Sequence, residues 1–313
     1  MPAFDIALRG PQGEPVDLRR TISSHGLTSL PPFEPLHDER ALRATVPLRR
    51  GRPRTIEIHP RGERRASIEI VGRGPGAATV AEIEAIVRRI LSLDRDLSGF
   101  YAVAAEDPDL AWAAKGAGRW MRSPTVFEDV IKTVCTTNCA WSATVRMVSA
   151  LVEHLGSPAP GAPKTGWGGR AFPTPAAMAE AGEDFYRDVV RAGYRGRYFV
   201  QLSEAVATGE LDLEALGAAD AEDLPDEELD RTLQALPGVG PYASANIMMV
   251  LGRNSRLILD SWTRPTYARL VGKRAVADAT IVRRFKPYGR HAGLAFWLFL
   301  TRSWVPEPLE AKN

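Results

Sequence analysis

Four stretches near the start of the chain alternate apolar with polar residues: FDIALRG (4–10), ATVPLRRG (44–51), RTIEIHPRG (54–62) and RASIEIVGRG (65–74). A period of two lays one row of side chains on each face of a pleated strand, and the closing Gly, Pro and Arg residues mark turns. The pattern predicts an antiparallel sheet with one wet face. AEIEAIVRRILSLD (81–94) then sets Ile83, Ile86, Val87, Ile90 and Leu91 at helical spacing, which predicts a helix covering the sheet's dry face. Beyond about Ala113 the period becomes 3.6 and strand patterns disappear. Helices are predicted over 124–155, 174–192, 197–209, 225–235, 241–252, 261–271, 277–285 and 288–304. The expected fold class is therefore α+β, with a small antiparallel sheet plus helix over 1–113 and an all-helical domain over 114–313. Residues 156–175 carry too much Gly and Pro for helix and predict a long exposed loop. No internal repeat of fixed period is present.

Composition narrows the class only modestly. With 44% hydrophobic and 25% charged residues among 313, the chain is ordinary for a soluble globular protein, which excludes wholesale disorder and fibrous folds. Two cysteines, Cys135 and Cys139, exclude a disulfide framework, a four-thiolate zinc site and a four-thiolate iron–sulfur cluster. The two are expected to pack rather than to ligate. The first ten residues lack a secretory pattern, and the apolar run at 292–300 falls short of the roughly 20 residues of a membrane span, so a cytoplasmic protein with no membrane partner is expected. Net charge is +2, but its distribution is uneven: 253–302 holds eleven Arg or Lys against two acids, whereas 204–230 holds eleven acids and no base. Such separation is the footprint of a polyanion binder, although a charge run alone is more often a solvated face.

Chemistry concentrates in LPGVGPYASANIMMVLGRNSRLILDSW, residues 236–262. One helix ends at Ala235, Leu236-Pro-Gly-Val-Gly makes a tight hairpin, and Pro241 opens the next helix where its missing N–H costs nothing. Gly238 and Gly240 can take positive φ, and with Val239 they leave backbone N–H groups at a helix N-terminus, a site for a nucleic-acid phosphate. A packing turn is the alternative for any lone Gly-x-Gly. Asp260 ends the apolar run Leu257-Ile-Leu, and by itself it would most simply be an N-cap.

An acid roughly twenty residues beyond the hairpin glycines changes that balance. The arrangement resembles the helix-hairpin-helix Gly/Pro-Asp superfamily of DNA base-excision glycosylases, in its 3-methyladenine and 8-oxoguanine branch. Ser123-Pro-Thr-Val-Phe-Glu-Asp-Val-Ile, Thr136-Thr-Asn-Cys on a long helix, Phe172-Pro-Thr-Pro, Gly193-Tyr-Arg-Gly-Arg-Tyr and Phe285-Lys-Pro-Tyr-Gly-Arg are similar to stretches of that branch. The N-terminal sheet is similar to the small domain it carries, so the resemblance spans nearly the whole chain. It implies that Asp260 is catalytic, that Asn138 and Arg195 touch DNA, and that the partner is double-stranded DNA with a damaged base, bound by a monomer. Arg264 is a further DNA-contact candidate. No organic cofactor and no metal on side chains is expected, while the hairpin carbonyls of Leu236 and Gly238 are candidate ligands for Na+ or K+.

Members that cut the strand carry lysine two positions after the second hairpin glycine, and here that position is Tyr242. The amine is missing, which predicts a monofunctional enzyme using water. A base inside a duplex must be extruded before it is cut, and a flipped base needs aromatic walls. Tyr242 and Trp262 are the first candidates, with Trp141 and Phe172 next and Trp167 and Trp297 more distant. A carboxylate near the sugar stabilises the positive charge that develops as the N-glycosidic bond breaks. Alkylated purines are the expected substrates, because a cationic leaving base asks little beyond a placed aspartate and aromatic walls. Two alternatives stay open, a bifunctional 8-oxoguanine-type glycosylase/lyase and a catalytically inert lesion binder.

Overall fold

The computed structural model describes residues 2–306. Strands β1 (Ala3–Ala7), β2 (Phe33–Leu36), β3 (Ala41–Val46), β4 (Arg54–Pro60) and β5 (Arg65–Ile70) form one antiparallel sheet in the order β1-β5-β4-β3-β2. The alternation in the sequence sets the register: Ile56 opposes Ile70 and Ile58 opposes Ile68, so one face is a continuous aliphatic plate. Helix α1 (Leu18–Ile22) lies in the connection after β1, and helix α2 (Ala77–Ile90) buries Ile83, Val87 and Ile90 with that plate. The unpredicted strand β2 is only four residues long and contains Pro35. A proline cannot donate to a ladder, and β2 sits at the sheet edge, where that costs least.

Eleven further helices follow: α3 (Ser98–Ala105), α4 (Val126–Thr136), α5 (Trp141–Leu155), α6 (Pro175–Asp188), α7 (Gly196–Ala207), α8 (Leu213–Ala218), α9 (Asp226–Gln234), α10 (Pro241–Val250), α11 (Thr263–Leu270), α12 (Asp278–Phe285) and α13 (Ala292–Thr301). They build two cores that share α10. Ala243, Ile247 and Met248 enter a core with Val130, Leu151 and Phe199, whereas Ala245, Met249 and Val250 enter another with Phe100, Phe285 and Phe296. Apolar residues all round α10 are thus explained by burial on every side, and its N-terminal hairpin is the part that reaches the surface.

Several expectations are corrected. Residues 97–113, assigned above to the N-terminal domain, pack into the second helical core, while the sheet's own core spans residues between Ile6 and Leu93 and takes in Met121. The single helix over 124–155 is two helices. Thr136 and Thr137 turn their hydroxyls back onto the carbonyls of Thr133 and Val134, and Asn138 adopts φ +45°, so the chain leaves α4 in a left-handed step before α5 begins. The helix over 288–304 starts only at Ala292, after a tight turn in which Gly289 takes φ +55°. The two charge blocks are not apart: Arg253 pairs with Asp226 at 2.6 Å and Arg256 with Asp230 at 3.2 Å, so part of the basic segment neutralises the acidic one.

Candidate active site

The hairpin is built from local bonds. The Leu236 N–H donates to Leu233 and the Val239 N–H to Leu236, which closes the turn between α9 and α10. Gly238 needs to be glycine twice over, because its φ is +80° and a Cβ there would lie 2.8 Å from Tyr198. Gly240 does not: it is extended at φ −98°, and a Cβ would meet open space. Of the two glycines free to take positive φ, only Gly238 does. Val239 is buried at 5% exposure and pins the turn to the first core. The N–H groups of Gly238 and Gly240 have no acceptor among the described residues, and α10 starts at Pro241 without a side-chain cap. Backbone donors and the helix dipole therefore face outward together.

Asp260 does serve as an N-cap. Its Oδ1 accepts from the Trp262 and Thr263 N–H groups at 2.8 and 2.7 Å, and its own N–H donates to Thr263 Oγ1 at 2.8 Å. This reciprocal cap fixes the carboxylate at the start of α11. Oδ2 takes no hydrogen bond among the described residues, so the half-buried carboxylate keeps one oxygen without a partner there.

Hairpin and aspartate meet in one cleft of about 1010 Å³, whose walls include Trp141, Tyr194, Tyr198, Tyr242 and Trp262. Among the described residues Asp260 is the one carboxylate lining it, and no Lys, Arg or His does. Tyr242 shares the cleft with Asp260: burial raises its phenol pKa, the Thr136 hydroxyl opposes, and the negative charge of Asp260 adds to the rise. Its hydroxyl is 3.4 Å from Thr136 Oγ1. Trp262 is 38% exposed, with its ring 5.6 Å from Trp297 and 5.5 Å from Trp304. Trp141, at the first turn of α5, is 45% exposed. Asn138 reaches the same cleft and donates from Nδ2 to the Tyr194 hydroxyl at 3.3 Å.

Other candidates fall elsewhere. Phe172 is 6% exposed and edges against Phe127 in the first core, so it is removed from the pocket. Trp167 packs on that core too, and Trp297 is buried behind Trp262. Arg195 is 6% exposed; its guanidinium donates to the Thr137 carbonyl and lies 4.6 Å over the Tyr194 ring. Arg195 thus props the Asn138 turn and the aromatic rim rather than presenting charge to a phosphate. Arg264 lies outside the cleft in a two-pronged pair with Asp278 at 2.8 and 2.9 Å. Both cysteines are free: Cys135 is buried, its thiol pKa pushed up by burial, and Cys139 lines the cleft, bonded to the Cys135 carbonyl. Tyr194 and Tyr198 are pocket residues that the sequence reading does not single out. The available signal is the pair of aromatics flanking a glycine turn in Gly193-Tyr-Arg-Gly-Arg-Tyr.

An antiparallel sheet, a helical body and an outward hairpin beside an aspartate in an aromatic cleft form an architecture that the chain shares with solved DNA glycosylases. The solved structures are particular. The chain superposes on the 3-methyladenine DNA glycosylase from Archaeoglobus fulgidus with a TM-score of 0.72 at 20% identity, covering 97% of this chain and 100% of that one. It superposes on the Clostridium acetobutylicum 8-oxoguanine glycosylase/lyase in its apo form with a TM-score of 0.70 at 18% identity, covering 95% of each chain. The same Clostridium enzyme bound to double-stranded DNA with cytosine opposite 8-oxoguanine gives 0.69 at 18% identity, over 96% of this chain and 97% of that one. No family model and no curated protein matches the sequence. No helix among the described residues is long and apolar enough to cross a membrane.

Proposed function

We propose that the protein is a monofunctional DNA N-glycosylase that flips a damaged, alkylated purine out of duplex DNA and releases it with water. One observation carries the reading: among the described residues the cleft is lined by one carboxylate, five aromatic rings and no basic side chain. A purine nucleotide alkylated at N3 or N7 is a cation with two π-faces. Aromatic walls attract it by about 0.5–2 kcal/mol each, and a cationic base leaves without being protonated, so the absence of an acid such as His among the lining residues does not hinder release. A neutral oxidised base would call for placed donors and a proton source instead.

In this reading the N–H groups of Gly238 and Gly240 seat a backbone phosphate, which positions DNA without reading sequence. A Na+ or K+ on the carbonyls of Leu236 and Gly238 would add positive charge at the same place. Asn138, Tyr194 and Trp141 form an exposed rim fit to fill the space the extruded nucleotide leaves. Asp260 Oδ2 faces the sugar, stabilises the oxocarbenium-like charge and orients or deprotonates the attacking water, while Oδ1 stays engaged at the helix start. No amine lines the cleft to open the sugar and cut the strand. The test is a panel of duplexes, each bearing one lesion, assayed for abasic sites: release is expected from 3-methyladenine and 7-methylguanine duplexes and not from 8-oxoguanine duplexes. Preference for 8-oxoguanine would overturn the substrate, and no release from any duplex would overturn the activity.

A further inference from the structure

The wet face of the sheet, on the side away from α2, carries a second constellation that shares no residue with the Asp260 cleft. Glu57 and His59 stand two residues apart on β4, so both side chains leave the same face of the strand. Glu69 of β5 lies directly opposite Glu57 in the antiparallel register. One ligand atom from each, a ring nitrogen of His59 and a carboxylate oxygen of either glutamate, falls within 4.8 Å of the other two. No compact spacing announces the set in the sequence, because only the pairing of β4 with β5 brings Glu69 to Glu57.

The spacing is close to that of a metal centre. Zinc bonds of about 2.0–2.2 Å to nitrogen and oxygen set neighbouring ligand atoms of a tetrahedron roughly 3.3 Å apart. His59 Nε2 already lies 3.0 Å from Glu57 Oε2. Glu57 is braced from behind as well: Arg43 Nε and a terminal guanidinium nitrogen both reach its Oε1 at 2.9 Å, which leaves Oε2 toward His59. Ligating carboxylates are commonly held by such an outer partner. Charge points the same way. Arg43 divides its guanidinium between Glu57 and Glu34, the latter also at 2.9 Å, and Glu69 has no hydrogen bond or ion pair among the described residues. Among those residues Arg43 is thus the one arginine paired with these three carboxylates, since Arg65 on the same face turns to Asp5. A further imidazole stands beside them: His37 opens the turn between β2 and β3, which the register sets next to His59, and the two rings lie 6.3 Å apart.

We propose that Glu57, His59 and Glu69 bind a divalent transition-metal ion, Zn2+ being the best match, with the exposed His37 swinging in as the fourth ligand. Imidazole nitrogen beside carboxylate oxygen favours zinc over Mg2+ and Ca2+, which take oxygen ligands. An ion there ties the β2–β3 turn to β4 and β5, so its role is to stabilise the N-terminal sheet and not to take part in base release.

The experiment titrates Zn2+, and Mg2+ in parallel, into the intact protein freed of metal by a chelator, and follows the heat of binding and the melting temperature. The proposal expects one Zn2+ per chain to bind saturably, in the micromolar range or tighter, and to raise the melting temperature, and Mg2+ to do neither. Glu69→Gln and His59→Gln should each weaken Zn2+ binding about a hundredfold and His37→Gln about tenfold, while the metal-free variants melt close to the metal-free wild type. Co2+ serves as a coloured substitute, and its visible spectrum should show four-coordinate ligation without a thiolate band, which excludes Cys135 and Cys139 as the ligands. No saturable Zn2+ binding, equal binding of Mg2+, unchanged affinity in any of the three variants, or a thiolate band would overturn it. If a variant does not fold, the Co2+ spectrum of the wild type decides alone.

Discussion

Lys132 and Asp260 occupy opposite environments, and the contrast shows why an amine in the chain is not an amine in the site. Lys132 is 1% exposed in the first core, 2.7 Å from the equally buried Glu128 and off the hydrogen-bond axis, with its ammonium 4.3 Å over the Phe33 ring and 5.9 Å over Phe172. Burial raises the pKa of Glu128 while Lys132 opposes it, and Asp129 beside it is raised by burial as well. That charge serves to neutralise another charge. Asp260 is half-buried, tied through one oxygen and open through the other, in a cleft that no basic side chain among the described residues lines. A buried ion pair is poor evidence of stability gained, yet breaking one strands its partner. The first region should therefore answer mutation in stability and the second in turnover.

The largest effect is expected at the cleft. Asp260→Asn should slow base release by about a thousandfold in single-turnover assays and leave DNA affinity equal or higher, because the carboxylate opposes transition-state charge and an amide repels no phosphate. The asparagine keeps an oxygen for the N-cap, so the melting temperature should move little. In the core, Lys132→Met should cost about 3–5 kcal/mol in denaturant unfolding by leaving Glu128 buried and unpaired, without changing turnover per folded molecule. Adding Glu128→Leu should recover most of the loss.

His25 belongs to the same interior. It stacks on Trp120 at 4.3 Å and donates to the Met121 carbonyl at 2.8 Å, and burial pushes its pKa down to about 4, with Lys132 also lowering it and Met121 opposing. The folded protein keeps this ring neutral while the unfolded chain protonates it near 6.5. Its contribution is thus complete above about pH 6.5 and fades as pH falls from there toward about 4, by about 3 kcal/mol at the lower end. His25→Gln should flatten stability across that window. The smallest stability effects separate the hairpin glycines. Gly238→Ala meets positive φ and the Tyr198 ring and should cost about 1–3 kcal/mol, whereas Gly240→Ala should stay within about 0.5 kcal/mol. Gly240→Asp, which the backbone tolerates, should weaken binding to damaged and undamaged duplex alike and make the salt dependence shallower by about 0.9 for each phosphate the hairpin no longer holds. Unchanged affinity and slope would reduce the hairpin to a packing turn.

Where the determinants are local, the sequence is legible. Alternation over 54–70 defines two strands and their register, and Leu236-Pro-Gly-Val-Gly-Pro defines a helix, a hairpin and a helix because glycine and proline act on their own backbone. Asp260 is legible as a cap from its neighbours, and its spacing from the hairpin fits the cleft that the two share. Tertiary placement is not legible. Phe172 and Trp141 look alike as aromatics beside turns, yet one fills a core and the other edges a cleft, since partners far along the chain decide which surface is covered. Arg195 reads as a free cation until the Thr137 carbonyl turns toward it. The break at Asn138 is hidden because helical apolar spacing continues across it, and the threonine hydroxyls that end α4 act through backbone bonds that periodicity does not register.

Strand integrity tests the central claim most directly. A 3-methyladenine duplex is incubated with excess protein and divided: one part is run directly on a denaturing gel, one after alkali, and one after borohydride reduction. An Asp260 cleft without an amine predicts an intact strand, breakage only after alkali, and no covalent protein–DNA adduct. Scission without alkali, together with a borohydride-trapped adduct that disappears when one lysine is replaced, would contradict it.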